Sequence, residues 1–204
     1  MIFSEKTKRV LTAFLFGVIS TSITIVAPAQ AQEISSTYTQ LDLDNCKLLT
    51  RKELGLPTLE KEEMGIDGGR WLCVGYNNSI VYVSEGDLRF FVSFGQNAMR
   101  EPAASQTLAP FNYLGETLEW RVKNIDGSWV PFATILRWTT EIGDGSQPDG
   151  STLIVTKLEQ GNVCQVARID AKNVADANQV ARDIADTKVD DFNCQSDQII
   201  LLPG

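Results

Sequence analysis

Leu118-Glu119-Trp120-Arg121-Val122-Lys123 alternates apolar and charged side chains with a period of two. Successive side chains of an extended chain point to opposite faces. The run therefore reads as a half-buried strand, with Leu118, Trp120 and Val122 on a core and Glu119, Arg121 and Lys123 in water. Upstream, Trp71 to Tyr76, Ile80 to Ser84 and Leu88 to Phe94 read as strands. The polar run Asn77-Asn78-Ser79 separates the first two, and Glu85-Gly86-Asp87 makes a hairpin turn into the third. In that third strand Leu88, Phe90, Val92 and Phe94 share a face opposite Arg89, Phe91 and Ser93. Downstream, Asp126-Gly127 turns the chain into Trp129 and then Phe132 to Ile142, and the turn-rich run Gly143 to Gly150 leads to Thr152 to Leu158. Gly161-Asn162 turns again into Val163 to Ile169. Short turns between consecutive strands predict antiparallel pairing.

The flanks are less regular. Gln32 to Tyr38 is polar and loose, and Thr39 to Asp44 alternates enough to begin a strand leading to Cys46. Leu48 to Gly69 is charged and broken by Pro57, Gly65, Gly68 and Gly69, which predicts a loop with one helical turn around Leu59 to Met64. A helix is signalled near the C-terminus, where Asn173 can cap, Asp176 sits in the first turn, and Ala177, Val180, Ala181, Ile184 and Ala185 recur at helical spacing. The expected fold class is α+β, a mainly antiparallel meandering sheet with one C-terminal helix packed on a face and two disulfides.

The first residues carry Lys6, Lys8 and Arg9 and lead into an apolar stretch from Val10 to Val26, which ends in Ala27-Pro28-Ala29-Gln30-Ala31-Gln32. A basic segment, an apolar segment and small residues at Ala29 and Ala31 predict a secretory signal peptide over residues 1–31, cleaved between Ala31 and Gln32. Residues 32–204 then form a single globular domain with no membrane span. Losing Lys6, Lys8, Arg9 and Glu5 leaves 15 basic and 25 acidic residues, a net charge of −10. A chain so acidic, with no basic cluster, excludes nucleic acid as a partner.

Histidine is absent, which excludes Ser-His-Asp and Cys-His hydrolases and histidine-ligated metal centres. Cys46, Cys73, Cys164 and Cys194 all follow the signal and none forms a C-x-x-C pair, so disulfides are expected over a zinc site. Of three connectivities, the sequential one, Cys46–Cys73 and Cys164–Cys194, is favoured because it closes two loops of nearly equal length.

Four features bear on chemistry. Carboxylates such as Glu85 with Asp87, or Asp190 with Asp191, offer the pair that glycoside hydrolysis needs, but solvation explains them as well. Asp144 and Asp149 among glycines, or Asp42 and Asp44, suggest calcium without the spacing of an EF-hand. Trp71, Tyr76, Trp120, Trp129 and Trp138 lie on predicted strands, where core packing competes with a ring platform. The segment Gly95 to Gly115 holds Pro102, Pro110, Phe111 and Tyr113, and is either a binding loop or pinned to the core by Phe111 and Leu114. Phe111, Tyr113 and Trp138 are the candidate binding surface. No catalytic residue, metal ligand or cofactor is assigned.

Ser84 to Gly95, Pro131 to Trp138 and Asp176 to Arg182 together resemble a group of uncharacterised exported proteins of alphaproteobacteria. The resemblance covers most of the chain after the signal and implies a periplasmic location, but neither an activity nor site residues. The expected function is an exported binding or inhibitor-type module without catalytic activity, with a protein or glycan partner in the periplasm. The alternative is a carboxylate-dependent hydrolase of cell-envelope polysaccharide.

Overall fold

The structure is a computed structural model that describes Met1 and residues 32–56, 68–141 and 150–203. Its contacts divide the chain into Met1–Ala31 and Gln32–Gly204, and the second unit holds every element below. The predicted signal segment, the helical turn at Leu59 to Met64 and the Asp144–Asp149 run lie outside the described residues.

Among the described residues ten strands and one α-helix follow in the order β1 (Ile34–Gln40), β2 (Lys47–Leu48), β3 (Arg70–Val74), β4 (Ile80–Gly86), β5 (Arg89–Phe94), β6 (Phe111–Ile125), β7 (Ser128–Glu141), β8 (Gly150–Lys157), β9 (Gln165–Asp170), α1 (Ala177–Lys188) and β10 (Ile200–Leu202). Among the described residues they form not one sheet but two, a six-stranded sheet β1-β6-β7-β8-β9-β10 and a four-stranded sheet β2-β3-β4-β5. All pairings are antiparallel except β10 with β9. The four-stranded sheet and α1 cover opposite faces of the six-stranded one, giving three layers and two cores. Leu118, Trp120, Val122, Leu136, Trp138 and Ile154 meet Val81, Val83, Val92 and Phe94 between the sheets. Ala133, Ile135, Leu153 and Val155 meet the helix on the other side.

Several boundaries differ from the sequence expectation. β1 starts at Ile34 rather than Thr39 because β6 supplies a partner along its whole length, from Ile34 opposite Lys123 to Gln40 opposite Thr117. Leu43–Asn45 is a 3-10 turn, capped by the Asp42 carboxylate accepting from the Asp44 N–H. The β4–β5 hairpin turns at Asp87-Leu88, both with positive φ (53° and 58°), so Leu88 leaves the strand face that Phe90, Val92 and Phe94 share. The expected Asp126-Gly127 turn is present with positive φ at both residues. α1 is preceded by Asp176 in the left-handed region, and Asn173 instead donates to the Asp170 carboxylate. Ala177, Ala181 and Ala185 are the buried stripe of the helix, and their small side chains let it lie close to the sheet.

The face of β6 that reads as solvated is covered as well. Arg182 forks onto Glu119 with Nε at 2.7 Å and Nη2 at 3.2 Å. Arg121 forks onto Asp186 with Nε at 2.9 Å and Nη2 at 2.5 Å, and Lys123 pairs with Asp190. Two strand residues advance about 6.6 Å and four helical residues about 6 Å, so Glu119 and Arg121 meet Arg182 and Asp186 one turn apart on α1, and Lys123 meets Asp190 just past its C-terminal end. The hydrogen bonds that Arg182 donates to Glu119 raise its guanidinium above the usual range against the opposing effect of burial.

Both expected disulfides are present. Cys46–Cys73 ties the segment after β1 to β3, and Cys164–Cys194 ties the chain before β9 to the chain after α1, with Cα atoms 4.5 and 5.8 Å apart. Each shortens the unfolded chain's loop and stabilises by about 3 kcal/mol on the chain-entropy view. Replacing Cys164 and Cys194 together by Ser is expected to lower unfolding free energy by about that amount, read from the urea midpoint. An unchanged midpoint would show that α1 docks without the tie.

Candidate functional site

The connection from β5 to β6 is a wall rather than a free loop. Gly95 takes a positive φ of 89°, which turns the chain out of β5 into two 3-10 turns, Ala98–Arg100 and Pro102–Ser105. Pro102 occupies the first position of the second turn, where a missing N–H costs nothing. Glu101 is buried, and its two oxygens accept from the N–H groups of Gly161 at 2.7 Å and Val163 at 3.1 Å. The Ala103 N–H donates to the Val163 carbonyl, and the Gln106 side chain accepts from the Gln165 N–H. The segment is thus pinned to the β8–β9 connection by Glu101 and Ala103 and to β9 by Gln106, while Leu114 packs against the core as expected and Phe111 stays exposed.

Phe111 and Tyr113 belong to β6 itself, two residues apart and therefore on one side of the strand. Asn112 between them is fully buried and locks the backbone. Its Oδ1 accepts from the Phe90 N–H at 3.0 Å, and its Nδ2 donates to the carbonyls of Leu108 at 3.3 Å and Pro110 at 3.0 Å. The two flanking rings are left 41% and 43% exposed. Arg89 stands 5.2 Å from the Phe111 ring centroid, held by the Ala109 carbonyl and the Asp87 carboxylate. Tyr113 lies 6.5 Å from the Phe90 ring and donates to Glu141 at 3.4 Å. Leu88, 54% exposed at its turn, adds an aliphatic group to this corner, and Asp87 and Glu85 flank it in sequence. The negative charge of Glu141 chiefly, then slight burial, the Glu141 hydrogen bond and the charge of Glu85, raise the Tyr113 phenol above its ordinary value.

Trp138 does not join this surface. It is 1% exposed in the core between the sheets, because its strand position shares the face of Leu136 and opposes Leu114. Trp120 is equally buried, and Trp71, Tyr76 and Trp129 pack partly buried against the same core. Leu88 was missed as a surface residue, since the strand pattern placed it with Phe90. A two-residue turn through Asp87 was the available signal, because aspartate tolerates positive φ.

A cleft of about 320 Å³ lies at one end of the sandwich, bounded by Asn78, Gln96 and Gln160 and reaching toward the buried Trp120 and Phe94. Its one carboxylate is Glu101, both of whose oxygens are occupied by backbone N–H groups. Of the carboxylates singled out from sequence, Glu85 accepts from the Leu88 N–H, Asp87 pairs with Arg89, Asp190 pairs with Lys123, and Asp42 caps its turn. No group of three or more His, Cys, Asp or Glu side chains among the described residues could hold a metal ion. No helix among them is long and apolar enough to cross a membrane.

Comparison with family models, with curated proteins and with solved structures returns no significant match for this chain.

Proposed function

We propose that the protein is exported to the periplasm and acts there as a non-catalytic binding module of the inhibitor type, recognising a protein through Leu88, Phe111 and Tyr113. One observation carries this reading: two neighbouring rings stand exposed on a strand whose backbone is locked between them by the buried amide of Asn112. Rings fixed before binding lose little entropy on contact, which is what makes aromatic side chains effective anchors. Glu85, Asp87 and Glu141 set carboxylates around them, so the partner's matching surface carries basic groups beside apolar ones. Export rests on the N-terminal segment, and the two disulfides suit an oxidising compartment. The hydrolase alternative draws no support from Glu101, Glu119 or Asp190, whose carboxylates are engaged in structural hydrogen bonds or ion pairs.

Site-specific photocrosslinking in intact cells tests the surface. A photoreactive phenylalanine at position 111 or 113 is expected to capture one and the same protein, with a basic contact surface, while the same probe at Val74, exposed on β3, captures none. Phe111→Ala should weaken binding of that partner by about tenfold or more. Capture of envelope glycan instead, or equal capture from position 74, would overturn the assignment. The N-terminal residue of the recovered protein tests export, and it is expected to be Gln32.

A further inference from the structure

The sheet edges are treated unequally. β2 is two residues long and includes Lys47, and β10 is three residues long and is followed by Pro203, both devices that blunt an edge. The outer edge of β5 is engaged at its start, where Asn112 accepts from the Phe90 N–H, Thr107 donates to the Phe90 carbonyl and the Asn112 N–H donates to the Leu88 carbonyl, and the Pro102–Ser105 turn packs against the strand. β1 has none of these protections. Its seven residues, Ile34-Ser35-Ser36-Thr37-Tyr38-Thr39-Gln40, contain no charge and no proline, and pair with β6 without a bulge.

The direction of its free groups follows from the ladder. The Leu41 N–H donates to the Glu116 carbonyl and the Glu33 carbonyl accepts from the Asn124 N–H, so the odd-numbered residues are the hydrogen-bonded positions toward β6. The N–H and C=O groups of Ile34, Ser36, Tyr38 and Gln40 therefore point away from the sheet. Nothing among the described residues bonds to them. The strand is also held rigid, since Ser36 Oγ bonds Glu119 and Arg121 and the Thr39 hydroxyl accepts from Trp120.

We propose that β1 is a self-association edge, pairing antiparallel with β1 of a second copy about a twofold axis at Thr37 and joining the two six-stranded sheets into one. Parity requires the axis to fall on a residue, and full overlap of the two seven-residue strands selects Thr37. With Thr37 on the axis, Ile34 meets Gln40 and Ser36 meets Tyr38 of the other copy, so every outward-pointing residue meets another and about eight hydrogen bonds form. The electrostatics agree. A chain of net charge −8 repels its copy almost everywhere, but this edge is neutral. Its nearest acids, Glu33 and Asp42, fall opposite Leu41 and Gln32, so no carboxylate meets another. A heterologous strand from another protein would use the same backbone groups, and it is the competing outcome.

Sedimentation velocity on the purified protein, expressed as the full chain, tests the edge. The expected result is a dimer at micromolar concentration. Thr37→Lys sets two ammonium groups face to face on the axis and should weaken the dimer by about tenfold or more, as should Thr37→Glu, with the circular dichroism spectrum unchanged. Mixing those two variants should restore a dimer containing one of each. Gln40→Pro removes an N–H that points away from β6, and gives a second monomeric variant should Thr37→Lys fail to fold. A wild type that stays monomeric, a dimer that survives both Thr37→Lys and Gln40→Pro, or a mixture that does not associate would each overturn the proposal.

Discussion

Trp120→Ala is expected to lower unfolding free energy by about 3–5 kcal/mol, the range for removing a fully buried ring. The indole is inaccessible to solvent and joins the two sheets. Phe94 meets it edge-on at 5.7 Å, Tyr76 lies at 6.5 Å, and its Nε1 donates to the Thr39 hydroxyl at 2.8 Å. The neighbouring chain leaves room for it: a Cβ on Gly75 would stand 2.3 Å from Trp120 Cζ2. The surrounding strands belong to two separate ladders, so they cannot close over the vacated volume without one sheet shifting against the other. Comparison with Trp138 isolates the polar contribution. Trp138 Nε1 has no hydrogen-bond partner although the residue is just as buried. Trp120→Phe gives up a made hydrogen bond, whereas Trp138→Phe removes an unsatisfied donor, so the first should cost about 1 kcal/mol more than the second. Urea unfolding at constant m checks the order, and equal losses would mean that the Thr39 bond contributes nothing.

What the sequence showed and what it hid divide along the range of the interactions involved. The strand at Leu118 to Lys123, the Asp126-Gly127 turn and the alanine stripe of α1 are set by residues within a few positions of one another, and they stand where the periodicity put them. β1 was hidden because Ile34 to Gln40 becomes a strand only through β6, more than seventy residues later. The division into two sheets was hidden for a similar reason: Phe94 and Phe111 bound a connector that changes sheet, and nothing local to it says so. β10 is three residues long and parallel to β9, too short to show a period. Within the candidate site, Phe111 and Tyr113 read as part of the long connection but stand exposed on β6, while Trp138 carries the same local pattern and lies inside. A ring on a strand reports its face only once the neighbouring layer is known.

Glu119, Arg121 and Lys123 are the sharpest case of that rule, and they carry the second large effect. Asp186→Ala should cost about 3 kcal/mol, because it leaves the Arg121 guanidinium, whose side chain is only 9% exposed, without its carboxylate. Asp190→Ala removes the equivalent partner of Lys123, but the Asp190 side chain is 64% exposed, and water can replace much of what it supplied. That loss should stay within about 1 kcal/mol. Arg121 and Lys123 are equally buried, at 9% and 10% exposure, so the steep difference between the two rungs tests whether the exposure of the carboxylate removed, 26% against 64%, rather than the number of ion pairs, sets the cost. Replacing both members, Arg121→Leu with Asp186→Leu, removes the stranded charge along with its partner and should recover most of the stability lost in Asp186→Ala. If it does, the ladder serves chiefly to set the position of α1 along the sheet. Ala177, Ala181 and Ala185 present a smooth face that could slide by a turn, and charges repeating at matched intervals on strand and helix add to the Cys164–Cys194 tie in distinguishing one docking from the next.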